Sequence, residues 1–103
     1  MNGARLVRHI MELTFEWDEE KDLSNQRKHG VSFAEAKTVF NDPRSITIAD
    51  DEHSDEEDRY IDMGISSRGR LIVVSYTERE PNIRIISCRK ATKSERKTYE
   101  QAS

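Results

Sequence analysis

Leu71-Ile72-Val73-Val74-Ser75-Tyr76 is the most apolar run of the chain, and it decides the fold. It reads as a strand at the centre of a sheet. On its N-terminal side Ser67-Arg68-Gly69 forms a tight connection, the mark of a hairpin. The hairpin's other arm alternates Ile61, Met63 and Ile65 with Tyr60, Asp62 and Gly64. On the C-terminal side Glu80-Pro81-Asn82 turns into a further strand from Ile83 to Lys90. Ile46 and Ile48 mark a short strand, and Leu13, Phe15 and Trp17 alternate as a first one.

Helices fill the gaps. Asp18 caps a helix with Glu19 and Glu20 in its first turn, and Lys28-His29-Gly30 ends it with basic charge and a left-handed glycine cap. Leu23 is its only large apolar interior residue, so this helix is expected to be largely exposed. Ser32-Phe33-Ala34-Glu35 reads as a capping box, with Val31 and Ala36 placed as a hydrophobic staple. Phe33, Ala36, Val39 and Phe40 share one face as core, and Asp42-Pro43 stops the helix. Thr92-Lys93-Ser94-Glu95 opens a C-terminal helix that runs to about Gln101. The order β-α-α-β-β-β-β-α predicts an α+β domain, a small antiparallel sheet with its helices on one face.

The chain has 103 residues, enough for one domain with a modest core. Residues 1–10 read as a flexible leader, and 11–103 as a single domain. The net charge of −3 argues against a general nucleic-acid binder, but it hides a division. Residues 1–58 hold 7 basic against 15 acidic side chains; residues 59–103 hold 10 against 5. The basic half suits phosphate, and the acidic half suits another surface or a basic partner. No apolar stretch is long enough to cross a membrane and no secretion signal is evident, so a cytoplasmic location is expected. The single cysteine, Cys88, excludes an intrachain disulfide and reads as a buried thiol.

Asp50 to Asp58 reads DDEHSDEED and runs directly into Arg59. It is either a solvated connection or part of a site built from His53, Glu57 and Arg59. Ser75, Thr77 and Arg79 share a face of the central strand, and Ser87 and Arg89 share a face of its neighbour. Polar residues at one end of a sheet face suggest an open groove, and arginine's planar fork suits phosphate there. The competing reading pairs these arginines with Glu57, Glu78 and Glu80. No metal is expected: the acidic run lacks a calcium loop's pattern, and no Cys/His cluster suits zinc. Nor is a nucleotide cofactor expected, since both a phosphate loop and a dinucleotide fingerprint are missing.

Six segments, taken in order, resemble the BrnT family of type II toxins. They are FEWDEEK (15–21), NQRKHGVSFAEA (25–36), VFNDP (39–43), HSDEEDR (53–59), GRLIVVSYTER (69–79) and RIISCRKATKSERKTYE (84–100). The resemblance covers roughly residues 13–100 and implies a RelE/ParE-like superfold. It implies RNA cleavage that stops translation. It also implies a DNA-binding, ribbon-helix-helix BrnA-like antitoxin whose complex represses its own operon and holds at least two toxin chains. Carried residue by residue, it marks Lys28 and His29, then His53, Glu57 and Arg59, then Arg79 and Arg89. Cys88 stands where the family has a small residue, and residues 1–10 are extra. On this reading Arg79 and Arg89 hold phosphate, Arg59 and Lys28 assist, and His53 and Glu57 transfer protons without a metal. The alternative is an interaction module that acts in a DNA-repressing complex without catalysis.

Overall fold

The computed structural model describes residues 13–49, 58–79 and 81–102. The 1–10 leader and residues 50–57 of the acidic run, with His53 and Glu57, lie outside the described residues. The strands are β1 (Thr14–Glu16), β2 (Ile46–Ala49), β3 (Arg59–Ile65), β4 (Leu71–Arg79) and β5 (Asn82–Lys90). The helices are α1 (Glu19–His29), α2 (Phe33–Lys37) and α3 (Lys93–Gln101), with α2 continued by a 3-10 turn over Thr38–Asn41. The α+β class and the β-α-α-β-β-β-β-α order are those read from the sequence.

One sheet joins all five strands in the order β1-β5-β4-β3-β2, with β4 at its centre. Every pairing is antiparallel except that of β1 with β5, which is parallel and makes the sheet mixed. Strand alternation sends Ile72, Val74 and Tyr76 to one face and Leu71 and Val73 to the other. The first face packs against Val31, Phe33, Ala36 and Val39 of the α1–α2 layer, together with Ile83, Ile85 and Cys88. Leu71 and Val73 join Met63 on the second face, with Ile46, Ile61, Ile65 and Tyr99 of α3 beside them. The helices therefore do not share one face. An amphipathic pattern fixes that a helix has an inner side, not which side of a sheet it covers, so α3 could not be placed from its sequence.

The caps are local and follow the sequence. Asp18 accepts from the Glu20 and Lys21 amides, and Gly30 takes φ 70°. Leu23 is exposed, and α1 turns Asp22 and Asn25 inward instead. Asn25 Nδ2 donates to the Val31 and Cys88 carbonyls at 2.9 Å, and its Oδ1 accepts from the Cys88 amide at 3.1 Å. Asp22 accepts from the Phe33 amide at 2.9 Å. Hydrogen bonds to backbone thus dock a helix that has almost no apolar stripe.

Only half of the expected box at Ser32 forms. Ser32 Oγ accepts from the Glu35 amide. The Glu35 carboxylate turns away from the cap to Arg70 and to the Ser66 hydroxyl, where it is 4% exposed. A guanidinium offers a carboxylate more than one backbone amide can, and it fastens α2 to the β3–β4 turn. The box at Thr92 and Glu95 is complete.

Candidate functional site

Arg59, Ile61 and Met63 alternate onto the second face of the sheet, as do Val73, Ser75, Thr77 and Arg79 of β4. The register brings these residues into rows. Arg59 pairs with Thr77, Thr77 with Arg84, and Arg84 with Glu16, so four strands contribute to one line. Arg79 pairs with Asn82 in the adjoining row, and Ile61, Ser75 and Ser87 form the row on the other side. Arg59 and Arg79 are therefore brought together, on an end of the sheet with no helix of the α1–α2 layer over it.

Arg84 reaches this face through an irregularity. The β4–β5 register shifts between Ser75 and Tyr76, leaving Ile86 as an extra residue of β5. Strict alternation would group Arg84 with Cys88 and set Ile83 and Ile85 beside Arg89. The bulge instead buries Ile83, Ile85 and Cys88 together on the helix-covered face and turns Arg84, Ser87 and Arg89 to the other.

Glu16 ties this cluster. Its carboxylate accepts from Asn82 Nδ2 at 2.9 Å and from Arg84 Nη1 at 3.0 Å, and Arg79 Nη1 stands 3.9 Å away. The Asn82 hydrogen bond, then Arg84, holds its carboxyl below the usual carboxylate value. Thr77 Oγ1 lies between Arg59 and Arg84, enclosed and without a hydrogen-bond partner among the described residues. The arginines' partners at this end thus include Glu16, which the sequence reading did not offer.

Arg89 stands apart. It pairs with Val73, four residues from Thr77 along β4, roughly 13 Å at ~3.3 Å per residue. Glu95 fills both arms of its fork at 2.8 Å. That pair pushes the Glu95 carboxyl down to about 2. Lys28 and His29 are exposed at the end of α1, in the layer over the opposite face. Cys88 is enclosed there as well; burial pushes its thiol up to about 12 and removes it as a nucleophile. Ala49 pairs with Tyr60, so the segment carrying His53 and Glu57 leaves and rejoins the sheet at the Arg59 end. Among the described residues no cluster of metal-ligating side chains occurs, and no helix is long and apolar enough to cross a membrane.

The family model of the ribonuclease toxin BrnT, of type II toxin–antitoxin systems, matches residues 17–95. The chain belongs to the BrnT family. The crystal structure of the Brucella abortus ribonuclease toxin BrnT resembles it with a TM-score of 0.60 at 23% identity, over 79% of this chain and 99% of that one. At that identity the likeness shows the BrnT fold alone. No curated protein matches the sequence. Membership in a family of ribonuclease toxins implies an RNA target and an antitoxin partner.

Three residues of this arginine cluster escaped the sequence reading: Glu16, Asn82 and Arg84. The one available signal was the spacing of Ile83, Ile85 and Cys88, two residues and then three, which marks a bulge once all three are taken as core.

Proposed function

We propose that this chain is a metal-independent endoribonuclease whose site is the Arg59–Thr77–Arg79 end of the sheet face opposite the α1–α2 layer. RNA carries its own nucleophile, the 2′-hydroxyl. A protein that bends the backbone toward in-line attack needs a base, an acid for the leaving 5′-oxygen, and positive charge around the phosphorane. The observation that carries the reading is the convergence of Arg59 and Arg79 on the sheet face opposite the α1–α2 layer, beside the strand ends that flank the segment holding His53 and Glu57. Arg79 and Arg59 hold the scissile phosphate and stabilise its developing charge. His53 and Glu57 are the proton-transfer groups. Lys28, in the opposite layer, is left out of this site. Arg89 serves through Glu95, holding α3 against the face.

The partner in this reading is a BrnA-like ribbon-helix-helix antitoxin. An apolar groove of about 170 Å³ between the sheet and α3, lined by Ile46, Ile48, Ile61, Met63, Val73, Glu95 and Thr98, supports docking of an antitoxin helix beside the arginines. Ile48 is 55% exposed there. The complex holds at least two toxin chains and binds operator DNA through the paired antitoxins.

Antitoxin-free protein incubated with RNA in EDTA tests the activity. The expected products carry a 2′,3′-cyclic phosphate and a 5′-hydroxyl. Intact RNA, or cleavage only with magnesium, overturns the mechanism.

A further inference from the structure

We infer that Arg84, oriented by Glu16 from the neighbouring strand, forms a second phosphate subsite that holds an RNA phosphodiester flanking the scissile one. The inference rests on the ribonuclease reading and extends its site toward β1.

Four observations carry it. The bulge at Ile86 turns Arg84 onto the same face as Arg59 and Arg79. Arg59 and Arg84 stand on either side of Thr77, two interstrand spacings or about 10 Å apart, so their forks suit neighbouring phosphates rather than one. Glu16 engages one arm of Arg84 through Nη1 at 3.0 Å and is itself fixed by Asn82 at 2.9 Å. Nε and Nη2 of Arg84 donate to nothing among the described residues, and its side chain is 32% exposed, so a held guanidinium presents its remaining donors outward.

Among the described residues of this row Glu16 stands with two guanidiniums, Arg59 and Arg84, so the row keeps positive charge while Arg84 is held in place. A phosphate bound there makes contact away from the reacting atoms. Arg84 is accordingly a binding residue, and Glu16 is a positioning residue.

The test uses a labelled 2′-O-methyl oligoribonucleotide, which lacks the nucleophile, and follows its binding by fluorescence anisotropy from 50 to 200 mM salt. Single-stranded RNA loses a slope of about 0.7 in log K against log salt for each phosphate contact removed. Arg84→Ala should weaken binding about tenfold and lower the slope by about 0.7. Arg84→Lys should restore the slope and part of the affinity. Cleavage of unmodified RNA by Arg84→Ala should show a raised KM and a kcat within about threefold of wild type. Arg27→Ala, an exposed arginine in the opposite layer, should change neither measurement. Arg84→Gln provides the same reading if the alanine variant does not fold. A slope unchanged in Arg84→Ala, or an equal loss in Arg27→Ala, overturns the subsite while cleavage by wild type leaves the ribonuclease reading standing. Wild-type protein that neither binds the oligonucleotide nor cuts RNA overturns both.

Discussion

Arg70→Met tests the ion pair that fastens α2 to the β3–β4 turn. The Glu35 side chain is 4% exposed and Arg70 29%. Arg70 Nε donates to Glu35 Oε2 at 2.9 Å, Nη2 donates to Oε1, and Ser66 Oγ adds a third bond at 2.7 Å. Removing one partner of a buried pair costs about 3–5 kcal/mol because the other charge is stranded. Arg70 is partly in water, which sets the expected loss at about 3 kcal/mol. Each kcal/mol lowers Tm by roughly 4–8 °C in a domain near this size, so the variant should melt roughly 12–24 °C below wild type. Adding Glu35→Gln to Arg70→Met removes the stranded charge, keeps an acceptor for Ser66, and should recover about half of the loss. The acid dependence has a definite sign. Arg70, above all, holds the Glu35 carboxyl below its ordinary 4.5. The stability it contributes is full above the unfolded value and is lost as pH falls through the lower folded value. The gap between wild type and Arg70→Met should therefore be widest near neutrality and close in acid. Urea unfolding followed by circular dichroism at several pH values measures all of this. A loss under about 1 kcal/mol, the size of a helix cap alone, would refute the buried-pair account and return Glu35 to the capping role its sequence position suggested.

Cys88→Ala should cost about 1 kcal/mol and keep RNA cleavage within about tenfold, since the thiol is enclosed on the face away from the arginines. Iodoacetamide should leave the native thiol unmodified at pH 8 and label it on unfolding; rapid native labelling would contradict its burial and its raised pKa. Gly64→Ala places a Cβ 3.0 Å from Asp42 Oδ2, Ser45 Cβ and Val39 Cγ1, and should destabilise by about 1–3 kcal/mol in urea. Glu95, held at about 2 by Arg89 against an ordinary 4.5, contributes stability that is full above the unfolded value and drains away as pH falls through about 2. Both side chains are partly exposed, so the effect should stay within about 1 kcal/mol and be missing from Glu95→Gln in an acid titration.

What the sequence revealed about the fold was chiefly local. Asp18, Gly30 and Thr92 act within a few residues of themselves, and β4 announces itself because both of its parities are apolar. The details that escaped it depend on partners distant in the chain. Glu35 leaves its cap for Arg70, 35 residues on. The parity of β5 changes at Ile86 only because β4 sets the register. The docking of α1 through Asp22 and Asn25 is invisible to a search for apolar stripes. The candidate site divides in the same way. Alternation placed Thr77 and Arg79 on one face without knowledge of the fold. Arg84 and Glu16 meet across 68 residues through the parallel β1–β5 pairing, which no short motif encodes. The sequence also joined Lys28 and Arg89 to one site, whereas the structure sets Lys28 in the opposite layer and fills the fork of Arg89 with Glu95.

Cleavage of RNA at the Arg59–Arg79 end of the sheet requires both guanidiniums around the phosphorane. Single-turnover cleavage of a short RNA in EDTA by wild type, Arg59→Ala and Arg79→Ala, each shown folded by circular dichroism, tests it most directly. Loss of a preorganised transition-state contact lowers the chemical rate by about 10²–10³-fold, so Arg79→Ala should lose activity of that order and Arg59→Ala a substantial part of it. Both variants cutting within about threefold of wild type would contradict that requirement.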